Sequence, residues 1–83
     1  MAKAVPSASV IGTKVYLHSG LEAGLIEDLI IDPSSGIVRF SSIRTYENTT
    51  VLMPWAAMIF AKSKGGFVLT DKGEFILQSG EVR

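Results

Sequence analysis

The residues with the means to do chemistry are few and scattered. Asp28 and Asp32 stand four apart with Glu27 beside the first. Paired carboxylates of this kind do acid–base work or hold a hard cation. Both also fit structural duties: Asp28 as an acceptor for backbone N–H groups at a bulge or strand end, Asp32 as the opener of a turn. No His or Lys constellation stands near them, so the structural duties are the stronger reading. His18-Ser19 pairs a base with a nucleophile in sequence, but neighbours in a strand point to opposite faces, and no nucleophile elbow surrounds Ser19. A strand end running into a turn accounts for both.

Trp55, with Tyr16, Tyr46 and the Phe residues, could stack on nucleobases. Stacking platforms need basic neighbours that follow the phosphates, and Trp55 has no Lys or Arg within five residues on either side. Its flanks, Met53-Pro54 and Ala56-Ala57-Met58, suit a plug in one mouth of a barrel or a partner contact. Lys62-Ser63-Lys64-Gly65-Gly66 offers cations and glycines to a phosphate but lacks the strand–loop–helix setting of a P-loop, and reads as a solvated hairpin turn.

The elements that would position these side chains are short strands. The clearest signal is residues 24–40, where apolar, β-branched runs at 25–31 and 37–43 flank Asp32-Pro33-Ser34-Ser35-Gly36. Pro33 pre-sets φ for a turn, Gly36 tolerates positive φ, and the whole predicts an antiparallel hairpin. Residues 25–31 are apolar on both faces with a carboxylate in the middle of each. This predicts either a strand buried on both sides or a bulge near Glu27-Asp28 that switches the register. In the returning strand, alternation places Val38 and Phe40 inward, Arg39 and Ser41 outward.

Before the hairpin, residues 1–8 predict a flexible lead-in, and residues 9–12 a turn that tucks Val10 or Ile11 against the core. Residues 13–18 predict a strand with Val15 and Leu17 on one face. After it come a polar loop at 45–50, a short strand at 51–53 ending at Pro54, and a single helical or 3₁₀ turn at 55–58. A hairpin follows, pairing 59–61 with 67–69, and then a tail that suits an extra strand or a helical turn. Strands at about ten-residue spacing with Gly or Pro turns, and no amphipathic helix, predict an all-β barrel or sandwich.

Bulk composition bounds the function. Eighty-three residues make one small domain. The chain has no Cys and one His, which excludes disulfides, thiolate metal sites and multi-histidine cages. Hydrophobic residues make up 47% and mean hydropathy is +0.34, more apolar side chain than a small core holds, which predicts self-association or a partner. Eight basic and eight acidic residues leave zero net charge, so nucleic acid is not an expected partner. No signal peptide and no spanning segment is visible, and the expected location is the cytoplasm.

Taken in order, Ile11-Gly12-Thr13-Lys14-Val15-Tyr16, Gly20, Gly24 through Asp32, Gly36 and Met53-Pro54-Trp55-Ala56-Ala57-Met58 closely resemble the PRC-barrel family. That family is named after the photosynthetic reaction centre, whose H subunit carries the domain. It also includes the C-terminal domain of a ribosome maturation factor and small stand-alone proteins, several of them archaeal. The resemblance covers roughly residues 9–70, with a C-terminal extension at 71–83. It implies a compact, mostly antiparallel β-barrel of five or six strands that acts as a protein-interaction module without catalysis or cofactor. It also implies dimers for some stand-alone members, and a link to cell division for archaeal ones. The 45–50 loop departs from the Gly-rich segment that many members carry there.

The resulting expectation is a non-catalytic, self-associating scaffold that docks onto other proteins, in cell-division or membrane-complex assembly. The alternative is an RNA- or ribosome-associated processing factor. The expected docking face is the outward side of 25–31 with its neighbours, namely Leu25, Leu29, Ile31, Phe40, Met58 and Phe60. Gly12, Gly24, Asp28, Asp32, Gly36, Pro54 and Trp55 form the structural motif.

Overall fold

A computed structural model describes residues 10–79; the expected lead-in at 1–8 and the last residues of the tail lie outside them. The chain runs β1 (Lys14–Tyr16), β2 (Glu22–Ile31), β3 (Val38–Thr45) and β4 (Thr50–Pro54). A 3₁₀ turn (Trp55–Ala57) leads into β5 (Met58–Ala61), and a second (Lys62–Lys64) into β6 (Gly66–Leu69) and α1 (Asp71–Ser79). The six strands form one mixed sheet in the order β4-β3-β2-β1-β6-β5. The β1–β6 pair is parallel and the other pairings are antiparallel. Among the described residues the fold is a small, mostly stranded half-barrel against which α1 packs.

The long β2–β3 hairpin organises the sheet, and two bulges explain its mixed pattern. Ile26 pairs with Ile43 and Asp28 with Ser42, so Glu27 is the extra residue. Ile26 and Ile43 are fully buried, which puts Leu25 and Asp28 on the convex face and Leu29 on the concave one. A second shift lets Ile30 pair with Phe40 but Ile31 with Val38, leaving Arg39 as the extra residue of β3. That bulge overturns the inward placement of Phe40. Past it, Ser41 and Ile43 point inward, both fully buried, while Phe40 and Ser42 point outward. A bulge reverses the parity of every later residue in its strand, and alternation alone cannot register it.

The concave face holds the core, in which Val15, Ile26, Ile43, Met53 and Leu69 are almost completely buried. Val10 packs into it while Ile11 stays exposed. Ser41 is the buried polar residue of this core among the described residues, and its hydroxyl donates to Sδ of Met58 at 3.4 Å. β1 is shorter than expected because the Leu17 N–H turns back to the carbonyl of Leu21 and Gly20 to that of Leu17.

The tail is a helix, against the expectation of no amphipathic helix. Thr70 caps it, its Oγ1 accepting from the N–H of Gly73 at 3.1 Å, and Asp71 and Glu74 place negative charge in its first turn. Gly73 and Ile76 are buried three residues apart, with Leu77 packed beside them. Gly73 costs about 1 kcal/mol relative to Ala inside a helix. A Cβ there would stand 2.7 Å from the Ala57 carbonyl oxygen, so the residue permits the close approach of α1 to the 3₁₀ turn. α1 packs against β4, β6 and that turn.

Candidate interaction surface

Asp28 and Asp32 do local work. Oδ1 of Asp28 accepts from the Leu29 N–H at 2.9 Å, next to the Glu27 bulge. Oδ1 of Asp32 accepts from both the N–H (2.9 Å) and the hydroxyl (2.8 Å) of Ser34, and its Oδ2 from Arg39 at 3.3 Å. These bonds, the Ser34 hydroxyl foremost, hold the Asp32 carboxyl below the usual carboxylate range. Gly36 follows at φ +76°, its N–H donating to the Asp32 carbonyl at 2.7 Å, which closes the turn. The two aspartates share no hydrogen-bond partner.

The other candidates are likewise structural in their contacts. The His18 N–H donates to Glu74 of α1 at 2.5 Å, tying the β1–β2 turn to the helix. Gly12, at φ +90°, sends its N–H to the Ile26 carbonyl at 2.7 Å. Gly24 sits between β1 and β3, paired with Val15 and Thr45. Pro54 ends β4 opposite Phe40. Trp55 is half-buried against the core, its ring centroid 5.4 Å from that of Phe67. In the 62–66 segment, Nζ of Lys64 lies 5.3 Å from the centre of the Tyr16 ring.

An open groove of about 620 Å³ lies between α1, the β1–β2 turn and the loop after β3, with Leu17, Val51 and Leu77 among its apolar walls. Two of the carboxylates that line it, Glu22 and Glu74, are engaged. Glu22 accepts from Lys14 at 3.0 Å and from the Tyr46 hydroxyl, while Glu74 holds the His18 N–H. The Tyr46 bond, then Lys14, lowers the pKa of Glu22, and the same contacts raise those of Tyr46 and Lys14. The loop itself is fixed by the Thr45–Thr49 hydroxyl pair at 2.6 Å and by Asn48 at φ +65°, whose side chain accepts from Arg44. Among the described residues no group of three or more His, Cys, Asp or Glu could hold a metal.

The unspent chemistry of the surface is apolar. The six residues expected to form a docking face do not share one. Leu25 and Phe40 lie on the convex face; Leu29 and Ile31 lie on the concave face, beyond Ile26. Met58 is 7% exposed and belongs to the core, so it offers no surface, because the β5–β6 register sets it opposite the buried Leu69. Phe60 pairs with Phe67 and therefore shares its concave face, ring centroids 5.3 Å apart, yet is 56% exposed. Ile59, pointing the other way, is 62% exposed. Sequence reading passed over Ile59 and also Ile30 and Ile37 at the hairpin end, which are exposed as well. Ile59 and Phe60 are adjacent, and two neighbouring apolar residues without a polar alternate are the pattern of a strand that needs cover on both faces, which this chain by itself does not supply.

Among the described residues, the half-barrel of six strands with its exposed apolar side chains defines a small β-barrel-like domain. The chain belongs to the PRC-barrel domain family, whose family model matches residues 3–76 and so takes in most of α1. The PRC-barrel domain is generally non-catalytic and often mediates protein interactions. Comparison with curated proteins returns no match. No helix among the described residues is long and apolar enough to cross a membrane.

Proposed function

We propose that this chain is a non-catalytic protein-interaction domain that pairs with a second copy of itself and, so paired, serves as a scaffold for other proteins. The observation that carries this reading is the exposure of Ile59 and Phe60 on an edge strand. A small monomer has little reason to leave two adjacent large apolar side chains in water. Zero net charge removes the long-range repulsion that keeps many small domains apart. A scaffold role in cell-division or membrane-complex assembly follows from the same reading through the family. The test is light scattering on the full chain at micromolar concentration. The expected mass is twice the 8.9 kDa of one chain, and a single-chain mass across that range refutes self-pairing.

A further inference from the structure

The sheet has two free edges among the described residues, β4 and β5, and they are treated differently. β4 carries Pro54, which cannot donate to a new strand, and α1 packs against it. Proline and a covering helix are standard protections against edge-to-edge pairing. β5 reads Met-Ile-Phe-Ala, with no charge and no proline, and it pairs with β6 on one side only. Its two outermost apolar side chains, Ile59 and Phe60, point to opposite faces, so an added strand would cover both at once.

Resting on the self-pairing reading above, we propose that the second copy joins through β5. The two β5 strands pair antiparallel about a two-fold axis at Ile59, making one continuous sheet. A two-fold interface must be self-complementary, and an uncharged apolar strand satisfies that condition against itself. Pairing Ile59 with Ile59 of the second copy sets Met58 against Phe60, so every facing pair is apolar. Centring on Phe60 instead would set the buried Met58 against Lys62. The antiparallel sense also separates the cations that follow the strand. The two copies of Lys62 end up about 20 Å apart along the sheet, beyond the Debye length of about 8 Å at physiological salt. Parallel pairing would stack them.

The chain has no cysteine, so single cysteines report the register directly. At a self-paired position the two Cα atoms stand about 4.5–5.5 Å apart, within disulfide range. Two residues along the strand brings the separation to about 8 Å, outside it. Under mild oxidation at micromolar concentration, Ile59→Cys is expected to run mostly as a covalent dimer on a non-reducing gel. Phe60→Cys, and Leu52→Cys on the β4 edge, are expected to remain mostly single chains. In parallel, Ile59→Arg is expected to halve the mass seen by light scattering while keeping the parent's circular dichroism.

Cross-linking of Leu52→Cys or Phe60→Cys at least as fast as Ile59→Cys overturns the proposed edge or register. A parent that is dimeric while Ile59→Cys stays uncross-linked and Ile59→Arg keeps the dimer mass removes the β5 interface and leaves self-pairing standing. A parent that is a single chain removes both.

Discussion

Gly24→Ala is expected to damage this fold far more than its one added methyl group suggests. Ala ordinarily gains about 0.5–1 kcal/mol over Gly inside a strand, because less backbone entropy is lost on folding. Here the new Cβ would stand 2.2 Å from the Arg44 carbonyl oxygen, 3.0 Å from its carbon and 3.1 Å from Cα of Thr45. All three are backbone atoms of β3, a central strand, so no side chain can swing aside. A comfortable carbon–oxygen contact is about 3.3 Å, so β2 and β3 must part by roughly 1 Å where Gly24 also pairs with Val15 of β1. Overpacking of this kind costs about 1–3 kcal/mol and at times more; with backbone on both sides the upper value, about 3 kcal/mol, is expected. A domain of this length has only about 4–12 kcal/mol in total, and each kcal/mol moves Tm by about 4–8 °C. Thermal unfolding followed by circular dichroism should therefore show a Tm about 12–24 °C below the parent. Gly36→Ala is the control. Its φ of +76° disfavours Ala, yet a Cβ there meets nothing within 4 Å, so the loss should be about 1 kcal/mol. A Tm for Gly24→Ala within about 4 °C of the parent, or a larger loss at Gly36, would refute the steric reasoning.

Thr70→Ala removes the acceptor for the Gly73 N–H and should cost about 1 kcal/mol, seen as a Tm about 4–8 °C lower and faster amide exchange confined to α1. Unchanged exchange in α1 would mean that Thr70 does not set the helix start. The Asp32 carboxyl is held below its ordinary range by Ser34 and then Arg39, so its contribution is present above about pH 4 and is lost as pH falls through its lowered folded value. Asp32→Asn should thus be less stable than the parent at pH 7, with the gap narrowing in urea titrations as pH falls below about 4; a gap that stays constant down the acid limb would exclude the charge as its source. Tyr46 and Lys14 act in the opposite sense, since their raised values give stability that is lost only as pH rises through them. Tyr46→Phe should accordingly flatten the alkaline limb of the pH–stability curve, and an unaltered limb would remove the Glu22 contact from the account.

What could be read along the chain was what short-range chemistry sets. The Asp32–Gly36 turn is legible because its acceptors and its positive φ are properties of residues two to four apart. The 58–69 hairpin is legible for the same reason, with Gly65 at φ +66° ending its turn. The helix was harder to see: Phe75-Ile76-Leu77 is a continuous apolar run without a visible period. The Thr70 cap and the Gly73 and Ile76 spacing become decisive only once the Ala57 carbonyl lies beneath them.

By itself, then, the sequence determined a small all-β domain of the PRC-barrel kind, the places of its turns, and a surplus of apolar residues over what one small core can hold. The tertiary structure alone decided which apolar residues those are. Bulges at Glu27 and Arg39 reverse parity, and so set Leu29 and Ser41 inward and Phe40 outward. Strand order makes β5 an edge, which leaves Ile59 and Phe60 in water while Met58, from the same apolar run, is buried. Side-chain direction depends on register, and register depends on partners distant in the chain; no local pattern carries it.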